Sequence, residues 1–425
     1  MTPELTRRSA LLSLGGASLL ASFSAQAQST LNGVPLVVIG GGFGGATAAR
    51  YLKGLLPSAN VTLVEANPTY TACPFSNLVI SGDRDIASQE FDYRSLEALG
   101  ITMRHQRAID VDPGGKSVTL ADGTELPYER LILSPGVDLR WGAIEGYDEA
   151  AAQLMPHAWN AGEQTLLLRQ KLDAMDDGGT VVISAPAAPY RCPPGPYERA
   201  SLIAHYLKTQ KPRSKLIVLD AKDRFSKMPL FLEAWAAEYP DHLEWRSAFD
   251  DGRVSRIDAE AGTLETDFES FAPAVANIIP PQKAGAIADR AGVTDATGWC
   301  PINGLDFSST LQPGIHVIGD ASIANPMPKS AFSANLQGKL CALQISASLA
   351  GGALEPIVLA NTCYSYTTPA TAVSIVGVYS NADGNLSSVE GAGGLSPSNA
   401  PIGVRQSEAV QAADWFRAIT RETFG

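Results

Sequence analysis

Short apolar runs recur along the first three quarters of this chain, and several lead directly into turn residues. Runs of this length and composition are typical of strands buried on both faces of a parallel sheet. The pattern pauses in a loop-like stretch near residues 144–156 and then restarts, so we predict two α/β units. The predicted strands lie at residues 36–39, 61–64, 117–120, 131–133, 180–183, 216–220 and 315–318.

The pattern changes again after about residue 353, where a strand-like stretch, a Gly/Ser/Pro-rich loop and an amphipathic segment follow one another. We predict a strand at 372–379, a loop at 382–401 and a terminal helix over residues 407–420. The fold is therefore expected to be α/β, with two dinucleotide-binding-type domains and a C-terminal α+β interface domain. The predicted bounds are residues 30–145 with 282–352 for the first domain, 146–281 for the second and 353–425 for the third.

The first strand runs into a glycine-rich turn with a carboxylate at a fixed distance. Gly40, Gly42 and Gly45 follow the strand, and Glu65 ends the second apolar run. The first glycine suits a tight turn, the second lets the backbone approach a pyrophosphate, and the third lets the helix pack closely. Glu65 is placed to accept hydrogen bonds from a ribose. Together they predict a dinucleotide site at the helix N-terminus.

The second unit lacks this glycine pattern. Its first strand is followed by Ala185, Pro186 and Ala188, where a phosphate-binding turn would need glycines. Proline has no N–H to offer a phosphate, and side chains prevent a close backbone approach. We therefore expect the second unit to have the outline of a nucleotide-binding domain but to bind no NAD(P)H.

The amino-acid composition and net charge of the chain limit the ligands and partners that we expect it to bind. The 425-residue chain is 45% hydrophobic and 18% charged, with a net charge of −12, so a packed core is expected and a basic nucleic-acid footprint is missing. The five histidines include no pair at metal-ligand spacing, and we predict no metal site. No apolar stretch after residue 27 reaches the about 20 residues that a transmembrane helix needs.

The N-terminus has the pattern of a bacterial export signal. Arg7 and Arg8 precede a short apolar run over residues 10–21, and residues 25–27 (Ala-Gln-Ala) form a small-x-small cleavage site. The arginine pair indicates twin-arginine export to the periplasm of residues 28 onwards. The Sec route stays open, because the phenylalanine usual after the arginines is absent.

Five cysteines in an exported chain leave at least one thiol without a partner. The segments around three of them resemble the flavoprotein (FAD-binding) subunit of flavocytochrome c sulfide dehydrogenase, and the resemblance covers nearly all of the chain after the export signal. The motifs that carry it are Tyr70-Thr71-Ala72-Cys73-Pro74-Phe75-Ser76-Asn77, residues 190–200 with Cys192, residues 315–329, and Asn361-Thr362-Cys363-Tyr364-Ser365. The residues beside Cys73 depart slightly from the family pattern.

The resemblance implies roles for these cysteines. Cys73 would bind the flavin of FAD covalently as a thioether; otherwise it is a buried thiol beside noncovalent FAD. Cys192 and Cys363 would form a redox disulfide that hydrosulfide attacks; otherwise the bridge is structural. Cys300 and Cys341 are expected to pack in the core.

Three other residues gain an implied role. Asp320 would bond the ribityl chain of FAD, or it caps the next helix. Glu198 would be a carboxylate of the active site that handles protons, or it is an acid in the first turn of a helix. Trp415 matches a tryptophan near the flavin, although packing alone would also explain it.

The fold implied is the two-dinucleotide-domain fold of glutathione reductase. The activity implied is periplasmic oxidation of sulfide to sulfur or polysulfide through the disulfide and FAD, with electrons leaving to a c-type cytochrome subunit. No Cys-x-x-Cys-His motif occurs in the sequence, so the haem is expected on another polypeptide. The alternatives are a sulfide:quinone oxidoreductase and a non-catalytic flavin module for electron transfer.

Overall fold

A computed structural model describes residues 31–382 and 384–425. The predicted export signal, residues 1–27, lies outside the described residues. The first part of the chain contains β1 Pro35–Ile39, α1 Phe43–Leu55, β2 Asn60–Val64, β3 Thr69–Thr71, α2 Ser76–Ser81, β4 Glu90–Asp92, α3 Arg94–Ala98, β5 Thr102–Arg104, β6 Ala108–Asp112, β7 Ser117–Leu120, β8 Glu125–Pro127, β9 Arg130–Leu133 and β10 Val137–Leu139. A short 3₁₀ turn covers Ile86–Gln89.

The middle of the chain forms a second α/β unit. Its elements are α4 Ala151–Leu154, α5 Glu163–Ala174, β11 Thr180–Ala185, α6 Gly195–Gln210, β12 Lys215–Asp220, α7 Met228–Glu238, β13 Leu243–Arg246, β14 Arg256–Asp258, β15 Thr263–Glu265, β16 Ser270–Phe271 and β17 Val275–Ile278. The stretch near 144–156, predicted to be a loop, therefore contains the one-turn helix α4.

The chain then returns to the first unit and ends in a separate β-hairpin and helix. The returning elements are β18 Gln282–Ala284, α8 Ala286–Arg290, β19 Cys300–Pro301, β20 Ile315–Val317, a 3₁₀ turn Gly319–Ala321, β21 Ser322–Ile323 and α9 Ala331–Leu349. The last elements are β22 Val358–Thr368, β23 Thr371–Ser380, β24 Ser387–Ser388, β25 Gly394–Leu395 and α10 Ile402–Phe424. We call residues 31–145 with 282–352 the first unit, 146–281 the central unit and 353–425 the C-terminal unit.

Two parallel sheets organise the molecule. The first has the strand order β20-β9-β1-β2-β5 and the second β13-β12-β11-β17. In the first sheet Ile39 pairs with both Val64 and Leu133, and Leu133 pairs with Val317. The turns after β1, β2, β9 and β20 therefore meet at one edge, where parallel sheets place their ligands.

The C-terminal unit departs from the prediction at its ends. The segment at 382–401, predicted to be a loop, contributes β24 and β25, which both pair with β23. The terminal helix runs from Ile402 to Phe424, several residues longer at each end than the predicted 407–420. Its extra residues are stabilised by tertiary packing that a local pattern does not show, since Phe424 is buried against the first unit.

Helices α1, α9 and α10 share one apolar core with the first sheet. Gly338 of α9 lies directly against α1, since a Cβ placed on it would stand 2.5 Å from the carbonyl oxygen of Gly44. Among the described residues, no helix has both the length and the apolar character required to cross a membrane.

Candidate active site

The glycine turn after β1 is built for close approach. Gly40 has φ +100°, and a Cβ there would lie 2.2 Å from the carbonyl oxygen of Ser134. A Cβ on Gly45 would lie 1.9 Å from the carbonyl oxygen of Gly40, so only glycine lets α1 pack against the turn. Gly42 is extended and immediately precedes α1, where the helix presents free N–H groups. The turn thus has the shape that a pyrophosphate needs.

Glu65 lies beside this turn at the end of β2. Its Oε2 accepts a hydrogen bond from the N–H of Gly41 at 2.8 Å, and its Oε1 accepts one from the N–H of Asn67 at 3.0 Å. The carboxylate is therefore fixed next to the glycine turn. This is the position from which an acid can bind a ribose hydroxyl.

Asp320 lies in the 3₁₀ turn after β20, two residues beyond the predicted strand end. Its Oδ1 is buried and has no hydrogen-bond partner among the described residues. It does not cap the next helix, because Ser330 caps α9. Burial raises the pKa of Asp320, against the opposing effect of Arg191 and Lys329. An unpaired buried acceptor at this edge fits a hydroxyl donor such as a ribityl chain.

Cys73 follows β3, and its sulfur lies 3.8 Å from the carbonyl oxygen of Trp159. The guanidinium of Arg191 donates to the same carbonyl oxygen, so it lies beside Cys73. Burial acts to lower the pKa of Arg191, but charges at Cys73, Asp320, Tyr70 and Cys192 raise it above its ordinary value. These groups from the first and central units thus face one shared space.

Cys192 is held in a constrained turn before α6. Its φ is +56°, a left-handed conformation that non-glycine residues rarely adopt. Its N–H donates to the carbonyl oxygen of Lys329 at 2.8 Å, and its own carbonyl oxygen accepts from the N–H of Gly195 at 2.8 Å. The central unit is thereby tied to the first unit beside Asp320, which Lys329 also contacts.

Cys363 lies on β22, which is joined to α6, the helix that follows Cys192, by the hydrogen bond from the N–H of Tyr366 to Glu198. Burial raises the pKa of the Cys192 thiol, and charges at Cys363 and Glu198 raise it further, while Lys227 and Arg191 oppose them. Both cysteines are free thiols in the structure. The structure therefore brings the two residues to one place, and the disulfide between them stays a prediction.

Glu198, in the first turn of α6, is clamped from both neighbouring units. Its Oε2 accepts a hydrogen bond from Asn77 Nδ2 at 2.8 Å, and its Oε1 accepts one from the backbone N–H of Tyr366 at 2.8 Å. Burial raises the pKa of Glu198, although these hydrogen bonds and the charges of Lys227 and Arg199 act to lower it. Glu198 is therefore an acid in the first turn of the helix, and its role in the active site stays a prediction.

Two further residues of the site had no role assigned to them from the sequence. Asn77 bridges charges, because its Oδ1 accepts from Arg199 Nε at 3.0 Å while its amide donates to Glu198. Lys227 is only 3% exposed, and its ammonium reaches Cys363 from the start of α7. A lone lysine or asparagine in a polar stretch is ordinarily a surface residue. Only the packing of the three units shows otherwise.

The remaining sequence candidates lie in packed surroundings. Cys300 and Cys341 are fully buried, as expected, and burial raises the pKa of Cys300 to about 12. Trp415 stacks on Phe332 and Phe75, with ring centroids 6.5 Å apart in each pair. Among the residues that the structure describes, no group of three or more His, Cys, Asp or Glu could hold a metal ion.

The nucleotide edge of the second sheet is occupied by the protein's own side chains. Asp220 ends β12, where an acid would bind a ribose, but its carboxylate is fully buried. It accepts hydrogen bonds from the hydroxyl of Tyr197 at 2.6 Å and Trp245 Nε1 at 3.0 Å, and it pairs with Lys222. The ring of Phe225 stacks on Tyr197 with centroids 3.6 Å apart. Asp220, the acid at the position where a ribose would bind, is therefore already engaged by the protein's own side chains.

Comparison with known proteins identifies the chain's relatives. Three family models match it: "Pyridine nucleotide-disulphide oxidoreductase" over residues 34–173, "Sulfide dehydrogenase [flavocytochrome c] flavoprotein chain, central" over 165–280, and "Flavocytochrome c sulphide dehydrogenase, flavin-binding" over 355–424. The last of these indicates a flavin, and the nucleotide site of the first unit fits FAD.

Individual relatives agree with these matches. The chain is 59% identical over 44 residues to the sulfide dehydrogenase [flavocytochrome c] flavoprotein chain of Chlorobaculum thiosulfatiphilum, which is 10% of this chain and 92% of that sequence. It is 23% identical over 303 residues to the mitochondrial sulfide:quinone oxidoreductase of Mus musculus, covering 68% of this chain and 66% of the mouse protein.

A solved structure confirms the predicted fold class. The sulfide:quinone oxidoreductase of Aquifex aeolicus superposes with a TM-score of 0.73 at 16% identity, covering 91% of each chain. The two parallel sheets and the C-terminal unit are therefore those of the two-dinucleotide-domain flavoproteins. Taken with the matched models, the protein belongs to the sulfide-oxidising flavoprotein family of flavocytochrome c sulfide dehydrogenase.

Proposed function

We propose that this protein oxidises sulfide at the Cys192–Cys363 pair, with FAD bound in the first unit, and passes the electrons to a c-type cytochrome subunit. One observation carries the proposal: Cys192, just before α6, and Cys363, on β22, are far apart in sequence but lie at two elements that the buried carboxylate of Glu198 joins. Glu198 lies in α6 and accepts a hydrogen bond from the N–H of Tyr366 on β22. The same space is bordered by Cys73 and by Asp320, which has an unpaired oxygen. An arrangement of this kind suits transfer of an electron pair from sulfur to a neighbouring acceptor.

The proposed reaction begins with the two cysteines joined as a disulfide. Hydrosulfide attacks one sulfur, the S–S bond breaks, and the products are a persulfide on one cysteine and a thiolate on the other. Atoms and electrons balance, since the electron pair of the broken bond leaves on the thiolate. Bound FAD supplies the two-electron acceptor chemistry for this centre.

Glu198 is proposed to manage the accompanying proton. Burial holds its pKa above the ordinary value, so the carboxyl exchanges a proton closer to neutral pH than an exposed glutamate does. The hydrogen bonds from Asn77 and Tyr366 fix both oxygen atoms of the carboxyl group in place. In this role Glu198 takes up the proton that H₂S loses on becoming hydrosulfide.

The flavin is proposed to be attached through the sulfur of Cys73. This cysteine follows the loop that begins at Glu65, and it shares the space around Arg191 with Asp320. A residue that lines the cofactor space with a half-buried, free thiol can form a thioether to the cofactor.

The acceptor and the compartment are also proposals. The matched family is that of flavocytochrome c, which supports a cytochrome as the acceptor. The arginine pair and cleavage pattern at the N-terminus support a periplasmic location. A sulfide:quinone oxidoreductase is the second candidate, because the mouse relative and the Aquifex structure both have that activity in their names.

An acceptor assay separates the two candidates. The holoprotein is reduced anaerobically with sulfide and then mixed with either a c-type cytochrome or a short-chain quinone, while the flavin absorbance is followed. Flavin reoxidation by the cytochrome, and not by the quinone, supports the proposal. Reoxidation by quinone alone identifies the second candidate, and a flavin that sulfide never reduces would remove both in favour of a non-catalytic electron-transfer module.

The cysteine pair is tested by substitution. Cys192→Ser and Cys363→Ser should each abolish reduction of the flavin by sulfide, with flavin content and fold unchanged. Cys341→Ala, which removes a buried core thiol, is the matched control. A purely structural bridge would instead lower stability by about 2–5 kcal/mol with sulfide turnover per folded molecule preserved. Flavin bleaching and melting curves measured on all three variants distinguish these outcomes.

A further inference from the structure

The ammonium group of Lys227 is buried beside Cys363, and no carboxylate among the described residues forms an ion pair with it. Lys227 is 3% exposed. Its Nζ donates to Ser365 Oγ at 2.7 Å, to the carbonyl oxygen of Cys363 at 3.0 Å and to the sulfur of Cys363 at 3.8 Å. All of these partners are uncharged while Cys363 is a thiol or part of a disulfide. The positive charge of Lys227 also acts at longer range on the carboxyl group of Glu198, where it opposes the rise in pKa.

This placement is costly for the resting protein. Removing an ammonium from water without an ionic partner carries a large desolvation penalty, and most buried lysines are therefore paired. Lys227 also precedes α7 directly, at the helix end that repels cations. Its own backbone is left-handed, with φ +63°. Lys222, in contrast, has Asp220 as a direct partner.

The desolvation penalty of the Lys227 ammonium is explained if the reaction creates a negative charge beside it. Resting on the proposed function, we propose that Lys227 is the counter-ion for the negative charge that disulfide opening leaves on the sulfur of Cys363. The proposal assigns a direction to the chemistry. Hydrosulfide attacks the sulfur of Cys192, the Cys192–Cys363 bond breaks, Cys192 becomes the persulfide, and the electron pair leaves on Cys363 as a thiolate beside the ammonium.

The surroundings of the two sulfurs favour this direction. A disulfide breaks more readily toward the thiol whose thiolate is better stabilised. The ammonium lies 3.8 Å from the sulfur of Cys363, whereas burial and the charges of Cys363 and Glu198 raise the pKa of the Cys192 thiol despite the opposing effects of Lys227 and Arg191. Ser365 lies on the same strand as Cys363 and binds the ammonium of Lys227, so the ammonium is held beside the sulfur.

The test measures the reactivity of Cys363 itself. In the Cys192→Ser holoprotein, reduced and folded, Cys363 is alkylated with iodoacetamide at near-neutral pH, and the rate is followed by mass spectrometry of the peptide. Only the thiolate reacts, so the rate reports the charge-stabilising effect of Lys227. In the Cys192→Ser protein, the second substitution Lys227→Met should slow alkylation by about tenfold or more. Lys227→Arg in the same protein should keep the rate within about threefold of the Cys192→Ser parent.

Controls keep the result independent of stability and of sulfide turnover. Lys222→Met removes a different buried ammonium and should leave the rate unchanged, while Lys227→Gln replaces Lys227→Met if that variant does not fold. An unchanged rate in the folded, uncharged Lys227 variant would overturn the inference. Failure of the proposed function appears elsewhere, as an absence of flavin bleaching by sulfide, because alkylation needs no turnover.

Discussion

At the scale of single residues, the raised pKa that suits Glu198 to proton transfer should also make the stability of the protein depend on pH. Burial raises its pKa in the folded protein, against the cations of Lys227 and Arg199. The folded protein therefore holds this proton to a higher pH than the unfolded chain, where the ordinary value is about 4.3. The stability that the group contributes is fully present below that value and is lost as the pH rises through the raised pKa.

Glu198→Gln should remove this pH dependence, because glutamine keeps the shape of the side chain but cannot ionise. We expect the difference in melting temperature between the parent protein and the variant to fall as the pH rises from about 4 toward neutrality. Thermal melts over that range measure it. A difference that stays constant with pH would show that Glu198 ionises normally.

Cys73 gives the second prediction at this scale. If its sulfur holds the flavin, precipitation with acid or denaturant should leave the yellow colour with the protein, and Cys73→Ser should release it. Cys341→Ser serves as the matched control, since Cys341 is a buried core thiol of α9 with no proposed contact to the flavin. Complete extraction of flavin from the parent protein would contradict covalent attachment.

At the scale of elements, the contact between α1 and α9 depends on a glycine. A methyl group on Gly338 would stand 2.5 Å from the carbonyl oxygen of Gly44 and 3.2 Å from the nitrogen of Ala48. Gly338→Ala should therefore cost about 1–3 kcal/mol of unfolding free energy, the usual effect of overpacking. Gly54→Ala in α1 is the control: no atom lies within 4 Å of its Cβ position, and the variant should be neutral or stabilising by up to about 1 kcal/mol. Urea melts of both variants compare them directly, and equal effects would argue against close helix packing.

The loop between β11 and α6 gives a second prediction at this scale. Prolines and alanines stand where phosphate-binding glycines would be, and Asp220 is already bonded to Tyr197, Trp245 and Lys222. Mixing with NADH or NADPH should therefore leave the flavin oxidised on the stopped-flow timescale. Rapid bleaching by either nucleotide would mean that the second sheet still binds it.

Six of the nine strands in the two parallel sheets could be predicted from the sequence, because buried parallel strands are continuous apolar runs that end in recognisable turns. The predicted run at 315–318 is observed as Ile315–Val317, for example. The bounds of the terminal helix were harder to predict from the sequence. Its first turn contains Gly403 and its last turn is stabilised by contacts of Phe424 with Phe91 and Tyr70, which only tertiary packing reveals.

At the scale of the whole molecule, the candidate site is formed by residues from all three units. Cys73 and Asn77 come from the first unit, Cys192 and Glu198 from the central unit, and Cys363 from the C-terminal unit. The three cysteines and Glu198 were accessible through motif resemblance. Asn77 and Lys227 had no implied role, because their importance depends on which charges the folded chain places around them.

The clamp on Glu198 also has a consequence for the order in which the protein folds. Its two hydrogen bonds join positions 121 and 168 residues apart in sequence. Closing such long loops costs entropy before any contact compensates it, so long-range contacts of this kind form late. We therefore expect Cys192 and Cys363 to come together late in folding, so that the sulfide chemistry proposed for the pair requires the complete native topology.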